Sequence, residues 1–270
     1  MKIESVTITG SSGYIGENLI KFLNSQGIFK IYCMDKKEGV RVEEVDVLLN
    51  SDVIIHLAAE SGIPTCEKNP EEAIRSNISA SFNILKLAYE NKIPVILASS
   101  QAAKNPSSGL YAMTKYAMEI EALRYNALGA QNKILRFSNV FGGIHYFNKK
   151  SSVLSCFGKA YLNGEKAKIH GNGCQERDFL FVDDLCKVVF EIAEKIYDID
   201  DEIIDIGTGF PTSIKDIVQY LDMDYEFEYE RNGGEECNFA DTYVMEKHGL
   251  TIPSISKLYE FLNSLIRQKE

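Results

Sequence analysis

Tyr111 and Lys115 stand four residues apart in the stretch "LYAMTKYAMEIEAL", Leu110 to Leu123. On a helix of about 3.6 residues per turn, that spacing puts both side chains on one face. A tyrosine held beside a lysine can work as a general acid–base, provided its phenol is made more acidic. The free phenol has a pKa of about 10. Bringing it near 7 takes about 4 kcal/mol of differential stabilisation. A lysine ammonium in a water-poor site supplies part of that by favouring the phenolate. Ser100, at the carboxyl end of the strand-like run "PVILASS", is placed to hydrogen-bond the substrate oxygen that Tyr111 deprotonates. Alone, the tyrosine–lysine pair is also what an ordinary amphipathic helix carries by chance. Its reading depends on the elements around it.

The segment "VTITGSSGYIGENLI" sets Gly10, Gly13 and Gly16 between a first strand and a first helix. Glycines at that junction allow a tight turn and a close approach of backbone amides to a pyrophosphate at the helix N-terminus. Asp35 ends the second strand, "KIYCMD". A carboxylate there accepts both ribose hydroxyls of NAD and repels a 2′-phosphate. Lys36 and Lys37 follow it, so NADP is disfavoured rather than excluded. NAD is the expected cofactor, and its positive nicotinamide ring would further favour the Tyr111 phenolate.

Strand-like and helix-like segments alternate through the first half. "KIESVTITG", "KIYCMD", "DVIIHLAA", "PVILASS" and "NKILRFSNVFG" read as strands, and "IIDIG" as a later one. Glu71–Asn91 and Gly109–Leu128 read as long helices. This alternation predicts an α/β fold, a doubly wound parallel sheet with helices on both faces. After Gly142 the pattern turns irregular. The expected organisation is a Rossmann domain at 1–142, rejoined by 176–208. Residues 143–175 and 209–270 form a smaller C-terminal substrate-binding lobe.

The chain has 270 residues, 45% of them hydrophobic, and a net charge of −10. Those values suit a globular protein and argue against a general nucleic-acid partner. No apolar run is long enough to span a bilayer, and the start "MKIESVTITG" has no signal-peptide pattern. The six cysteines form no Cys-Xaa-Xaa-Cys pair, so the expectation is reduced thiols in a cytoplasmic protein with no metal site.

Gly-Xaa-Xaa-Gly-Xaa-Xaa-Gly together with Tyr-Xaa-Xaa-Xaa-Lys resembles the extended short-chain dehydrogenase/reductase family, whose members include NAD-dependent nucleotide-sugar epimerases and dehydratases. Further ordered landmarks are "HLAA" at 56–59, "SNISASFNIL" at 76–85, "ASS" at 98–100 and "LRFSNVFG" at 135–142. "GNGCQERDFLFVDDL" at 171–185, "DIGTG" at 205–209 and "FAD" at 239–241 continue the series. The resemblance implies that Ser12, Tyr14 and Ile15 join the glycines around the cofactor. Leu57, Ala58, Ala59 and Ser61 would pass beneath it, with Asn77 on the following helix and Asp46 and Val47 beside the adenine. Ser99 and Phe137 would complete that side. Asn139, Arg177 and Arg231 fall where the family binds the substrate's phosphates, and arginine's planar fork suits phosphate. His56 reads as a buried strand residue.

The chain departs from the family in two places. Both the 36–51 stretch and "QAAKNPSSGL" at 101–110 are shorter than usual, and the first lacks a helix. Where dehydratases carry an acid after the serine or threonine, this chain has Gln101 and Ala102, which disfavours dehydration and decarboxylation. The resemblance thus implies an NAD-dependent nucleotide-sugar epimerase of the 4-epimerase kind, acting by transient hydride transfer, and a homodimer built on the two long helices. The alternatives are a nucleotide-sugar reductase or dehydrogenase, and a non-catalytic NAD-binding regulator.

Overall fold

The structure, a computed structural model, describes residues 2–28, 30–48, 50–144, 146–148, 152–228 and 237–269. Six strands make the main sheet: β1 (Ser5–Thr9), β2 (Lys30–Met34), β3 (Val53–His56), β4 (Val95–Ser100), β5 (Lys133–Phe137) and, after a lobe excursion, β9 (Ile203–Ile206). Their order is β2-β1-β3-β4-β5-β9, and every pairing is parallel. Strands buried on both faces need every side chain either apolar or hydrogen-bonded: "VIIH" is apolar up to His56, whereas "SVTIT" alternates, with the hydroxyls of Ser5, Thr7 and Thr9 bonded to Asp52, Ser51 and His56.

Helices cover both faces. On one side lie α1 (Tyr14–Ser25) and α7 (Val182–Glu194). They bury Leu19, Leu23, Leu185, Val188, Val189 and Ile192, each worth about 1.5–3 kcal/mol when fully buried. On the other side lie α4 (Ala80–Asn91) and α5 (Leu110–Ala127), joined by Ile84, Leu85, Met118 and Ala122. Short α2 (Ile63–Lys68) and α3 (Pro70–Ala73) lead into α4. The expected single helix over 71–91 is not uniform, because residues Ile74–Ser79 wind as a π-helix. Among its described residues, the shortened segment after β2 holds no α-helix, only 3₁₀ turns at Lys36–Glu38 and Val42–Glu44. Asn83 of α4 ties the second turn down by donating to the carbonyls of Val42 and Val45 at 2.9 and 2.8 Å.

The expected strand "NKILRFSNVFG" breaks at Ser138. β6 (Asn139–Phe141) leaves the main sheet and pairs with β8 (Glu176–Phe181). β8 also pairs with β10 (Pro211–Ser213) and β12 (Cys237–Asn238), giving a second, four-stranded sheet. β7 (Ala167–His170) and β11 (Tyr225–Glu228) form a separate pair. α6 (Val153–Asn163), α8 (Ile214–Tyr220) and α10 (Ser256–Lys269) pack around a second core that includes Phe141, Phe157, Leu258 and Leu262, whereas α9 (Tyr243–Lys247) lies against β9 with Met245 in the main-sheet core. Asp178 fastens the lobe to the main sheet. Its buried carboxylate accepts from Ser138, Thr208, Gly209 and Ala240.

Candidate active site

The glycine loop connects β1 to α1. Gly10 has a left-handed φ of +71°, and a Cβ there would lie 2.7 Å from the Ala58 nitrogen. A Cβ on Gly16 would lie 2.4 Å from the Gly10 carbonyl oxygen. Both positions demand glycine. Gly13 is the N-cap of the 12-residue α1, and no side chain caps it. The first amides of that helix are therefore available to an anion. Ser11, the first serine of the loop, presents a buried hydroxyl with no partner among the described residues. Neither Ser11 nor an uncapped helix start has a sequence signature of its own.

Asp35 closes β2 and is almost fully buried. Its Oδ1 accepts from Lys37 N at 2.8 Å, and its Oδ2 accepts from Ser12 N at 3.1 Å. Leu57 N donates to the Thr9 carbonyl at 3.1 Å, and Ala58 N to Thr9 Oγ1 at 3.2 Å. These bonds hold Leu57, Ala58 and Ala59 half-buried beside the glycine loop, with Ser61 exposed beyond them. Tyr14 turns its hydroxyl to the Gly142 carbonyl at 2.6 Å, while Ile15 packs against the core. Asp46 and Val47 are exposed after the second 3₁₀ turn. His56 is buried as expected, bonded through Nδ1 to Thr9 Oγ1 at 2.6 Å and through Nε2 to Ser81 Oγ at 2.9 Å. Burial pushes its pKa down to about 3, so it stays neutral.

Asn77 lies buried in the π-helix. Its side chain accepts from Glu60 N at 2.7 Å and donates to Glu60 O at 3.1 Å and to Thr114 Oγ1 at 2.9 Å. Thr114 Oγ1 in turn donates to the Tyr111 carbonyl at 2.9 Å. The loop after β3 is thus stitched to the first turn of α5. π-Helical turns recur at functional sites because the extra residue re-aims a side chain. That turn has no caps of its own, since its N-cap is Gly109; Glu67 on α2 supplies one, accepting from Leu110 N at 2.9 Å.

Tyr111 and Lys115 emerge on one face of α5, as the spacing predicts. The Ser100 hydroxyl, at the end of β4, lies near enough to the Tyr111 phenol to lower its pKa. It also accepts from Ala102 N at 3.3 Å. Lys115 is almost fully buried, and its Nζ donates to the Ala98 carbonyl at 2.7 Å. Desolvation brings its pKa down to about 8, against the opposing pull of Cys66 and Glu119. The expected acidification of Tyr111 by Lys115 is corrected here. Burial raises the phenol above its ordinary value and outweighs the lowering by Ser100, while the nearby Cys66 adds to the rise. The protein's own groups hold Tyr111 as a neutral phenol, a proton donor at neutral pH.

Ser99 points inward, its hydroxyl donating to Glu119 rather than facing the sheet edge. Glu119 is buried and takes two bonds from Arg136, at 2.9 and 2.7 Å. Phe137 lies in the core at the end of β5. Gln101 is likewise buried, donating to the Arg136 carbonyl at 2.9 Å. On the lobe side Asn139 is exposed and its amide donates to the Asp178 carbonyl at 3.3 Å. Arg177 is half-buried and donates to the Glu176 carbonyl at 2.6 Å. Asn139 is thus held by the backbone of β8 at Asp178, the residue after Arg177. Arg231 lies outside the described residues. A cleft of about 900 Å³ opens beside Lys104, Asn105 and residues 237–242. Lys104 bridges it by bonding Asp205 and the Phe239 carbonyl.

The sequence model described as "NAD dependent epimerase/dehydratase family" matches residues 6–207. The chain belongs to this family. Among its relatives, UDP-glucuronate 4-epimerase of Thermodesulfobacterium geofontis is 25% identical over an alignment 302 positions long, covering 95% of this chain and 89% of that one. GDP-6-deoxy-D-talose 4-dehydrogenase of Aggregatibacter actinomycetemcomitans is 28% identical over 241, covering 80% and 78%. The structure of UDP-N-acetylglucosamine 4-epimerase from Methanobrevibacter ruminantium M1 in complex with UDP-N-acetylmuramic acid matches with a TM-score of 0.85. That protein is 27% identical, with 99% of this chain and 98% of that one covered. Among the described residues, no helix is long and apolar enough to cross a membrane.

Proposed function

We propose that the protein is an NAD-dependent nucleotide-sugar epimerase of the 4-epimerase kind. The observation that carries this reading is the grouping of half-buried Tyr111 and Ser100 with buried Lys115 at the carboxyl end of β4 and the first turns of α5. The residues fit NAD: the glycine loop with Ser12, Tyr14 and Ile15 at the pyrophosphate, Asp35 at the ribose, and Asp46 and Val47 at the adenine. Leu57, Ala58, Ala59 and Ser61 line the remaining path with Asn77 behind them, whereas Ser99, turned to Glu119, and Phe137, in the core, support it from within. When bound, NAD would supply a hydride acceptor that returns what it takes, and a positive ring charge that favours the Tyr111 phenolate.

Tyr111 takes the proton from the sugar hydroxyl as the carbon is oxidised and returns it after the ketone has presented its other face. Ser100 hydrogen-bonds the same oxygen and fixes its distance from the phenol. Lys115, protonated below about pH 8, would hold the nicotinamide ribose, and the ring charge of bound NAD would favour the phenolate that the protein's own groups do not. Asn139, Arg177 and Arg231 bind the diphosphate, the arginines by paired bonds. Gln101 replaces the dehydratase acid and is turned into the core, so no carboxylate there assists elimination.

The experiment is incubation with UDP-, dTDP- and GDP-sugars without added NAD, followed by product analysis. Epimer formation without net NADH supports the proposal; accumulation of reduced cofactor with a keto product sinks it in favour of a dehydrogenase. The sheet-facing side of the α4–α5 pair buries Met118 and Ala122, while Phe82, Tyr89, Met113, Tyr116 and Ile120 stay exposed on its outer side. We infer that this apolar face pairs with a second copy as a four-helix bundle. Light scattering at micromolar concentration should give the mass of a dimer, and a monomer there contradicts it.

A further inference from the structure

Ser12, the second of the two serines in the glycine loop, is held at every polar group by one short segment. Its N–H donates to Asp35 Oδ2 at 3.1 Å, and its hydroxyl donates to Glu38 Oε1 at 2.7 Å. Its carbonyl accepts from Lys37 Nζ at 2.6 Å. Two carboxylates therefore converge on the loop where, under the NAD reading proposed above, the adenosine ribose lies.

The sequence "DKK" followed by Arg41 places three positive charges after Asp35, the composition expected of a site that welcomes a 2′-phosphate. The fold engages each of them elsewhere. Lys36 pairs with Glu60 and, at 3.4 Å, with Glu72. Lys37 is on the Ser12 carbonyl. Arg41 pairs with Glu43 at 3.1 Å.

We propose that Glu38 is a specificity-determining residue that, together with Asp35, excludes a 2′-phosphate and restricts the protein to NAD. A phosphate monoester carries close to two negative charges at neutral pH. Set beside Asp35 and Glu38, it meets like charge and no spare ammonium, because Lys37 would first have to leave Ser12. Glu38 already spends a carboxylate oxygen on Ser12, so its effect on the dinucleotide is through charge. Asp35 differs, because it also accepts from the ribose hydroxyls. The two residues should then separate: Asp35 governs NAD affinity, and Glu38 governs the rejection of NADP.

Glu38 is exposed at the end of a 3₁₀ turn, so substitutions there leave the core untouched. The test is calorimetric titration of the full chain with NAD and with NADP, for the native protein and the Glu38→Gln, Glu38→Lys and Asp35→Ala variants. Native protein should bind NAD more tightly than NADP. Glu38→Gln should strengthen NADP binding about tenfold and change NAD binding less than about threefold. Glu38→Lys should strengthen NADP further, with a gain that shrinks as salt is raised. Asp35→Ala should weaken NAD. If NAD binds the native protein and both Glu38 variants leave NADP affinity unchanged, this inference is overturned while the NAD reading stands. If the native protein binds neither dinucleotide, the NAD reading falls and the inference falls with it.

Discussion

Lys115 and Glu119 lie one turn apart on α5, and both are almost wholly buried. Glu119 is met by the Arg136 guanidinium through two bonds and by the Ser99 hydroxyl. Lys115 meets a neutral carbonyl, that of Ala98. One charge is matched by an opposite charge and has its lone pairs satisfied. The other is desolvated enough to bring its pKa down to about 8. A buried charge matched in this way is structure; one left costly is the mark of a working site. The Lys115 shift has a definite sign. Its folded pKa lies below the unfolded value of about 10.5, so the unfolded chain binds the extra proton between roughly pH 8 and 10.5. Stability contributed at this position rises through that window. At neutral pH the buried ammonium costs on the order of 3 kcal/mol.

Four substitutions test the contrast. Glu119→Ala strands Arg136 and should lose about 3–5 kcal/mol of stability in denaturant unfolding. Lys115→Met should do the reverse, keeping or raising stability while turnover falls about a hundredfold and NAD binding weakens. Loss of stability in that variant would mean that Lys115 is a structural partner after all. Ser100→Ala removes one hydrogen bond and no proton acceptor, so turnover should drop only about tenfold. The smallest effect is a displacement of the pH profile. Native turnover should decline as pH passes about 8, where Lys115 loses its proton. Glu119 opposes that loss, so in Glu119→Gln the limb should move to lower pH. A limb that stays in place would remove Glu119 from the electrostatics of the site.

The residues that carry local patterns were readable in the sequence. Gly10 and Gly16 are fixed by backbone contacts with no tolerance for a side chain, and Tyr111 and Lys115 by helical periodicity. The parallel sheet followed from apolar runs alternating with helices. What was not readable depends on contacts between distant segments. Arg136 reaches Glu119 across 17 positions, and Glu67 reaches Leu110 across 43, neither with a motif. The break at Ser138 is set by a bond to Asp178, 40 positions on, so β5 and β6 looked like one strand. The π-helix at Ile74–Ser79 has no compositional mark that separates it from an α-helix. The direction of the Tyr111 shift has a related cause: spacing shows a nearby lysine, whereas the desolvation that raises the phenol's pKa is set by segments that meet only in the folded chain.

The central claim is that Tyr111 moves the substrate proton, and Tyr111→Phe tests it most directly. The ring and its packing remain while the ionisable hydroxyl goes. On a nucleotide sugar that the native protein converts, the variant should keep its melting temperature and its NAD affinity and lose at least about a hundredfold in turnover. Native turnover in a folded, NAD-binding Tyr111→Phe protein would contradict the account.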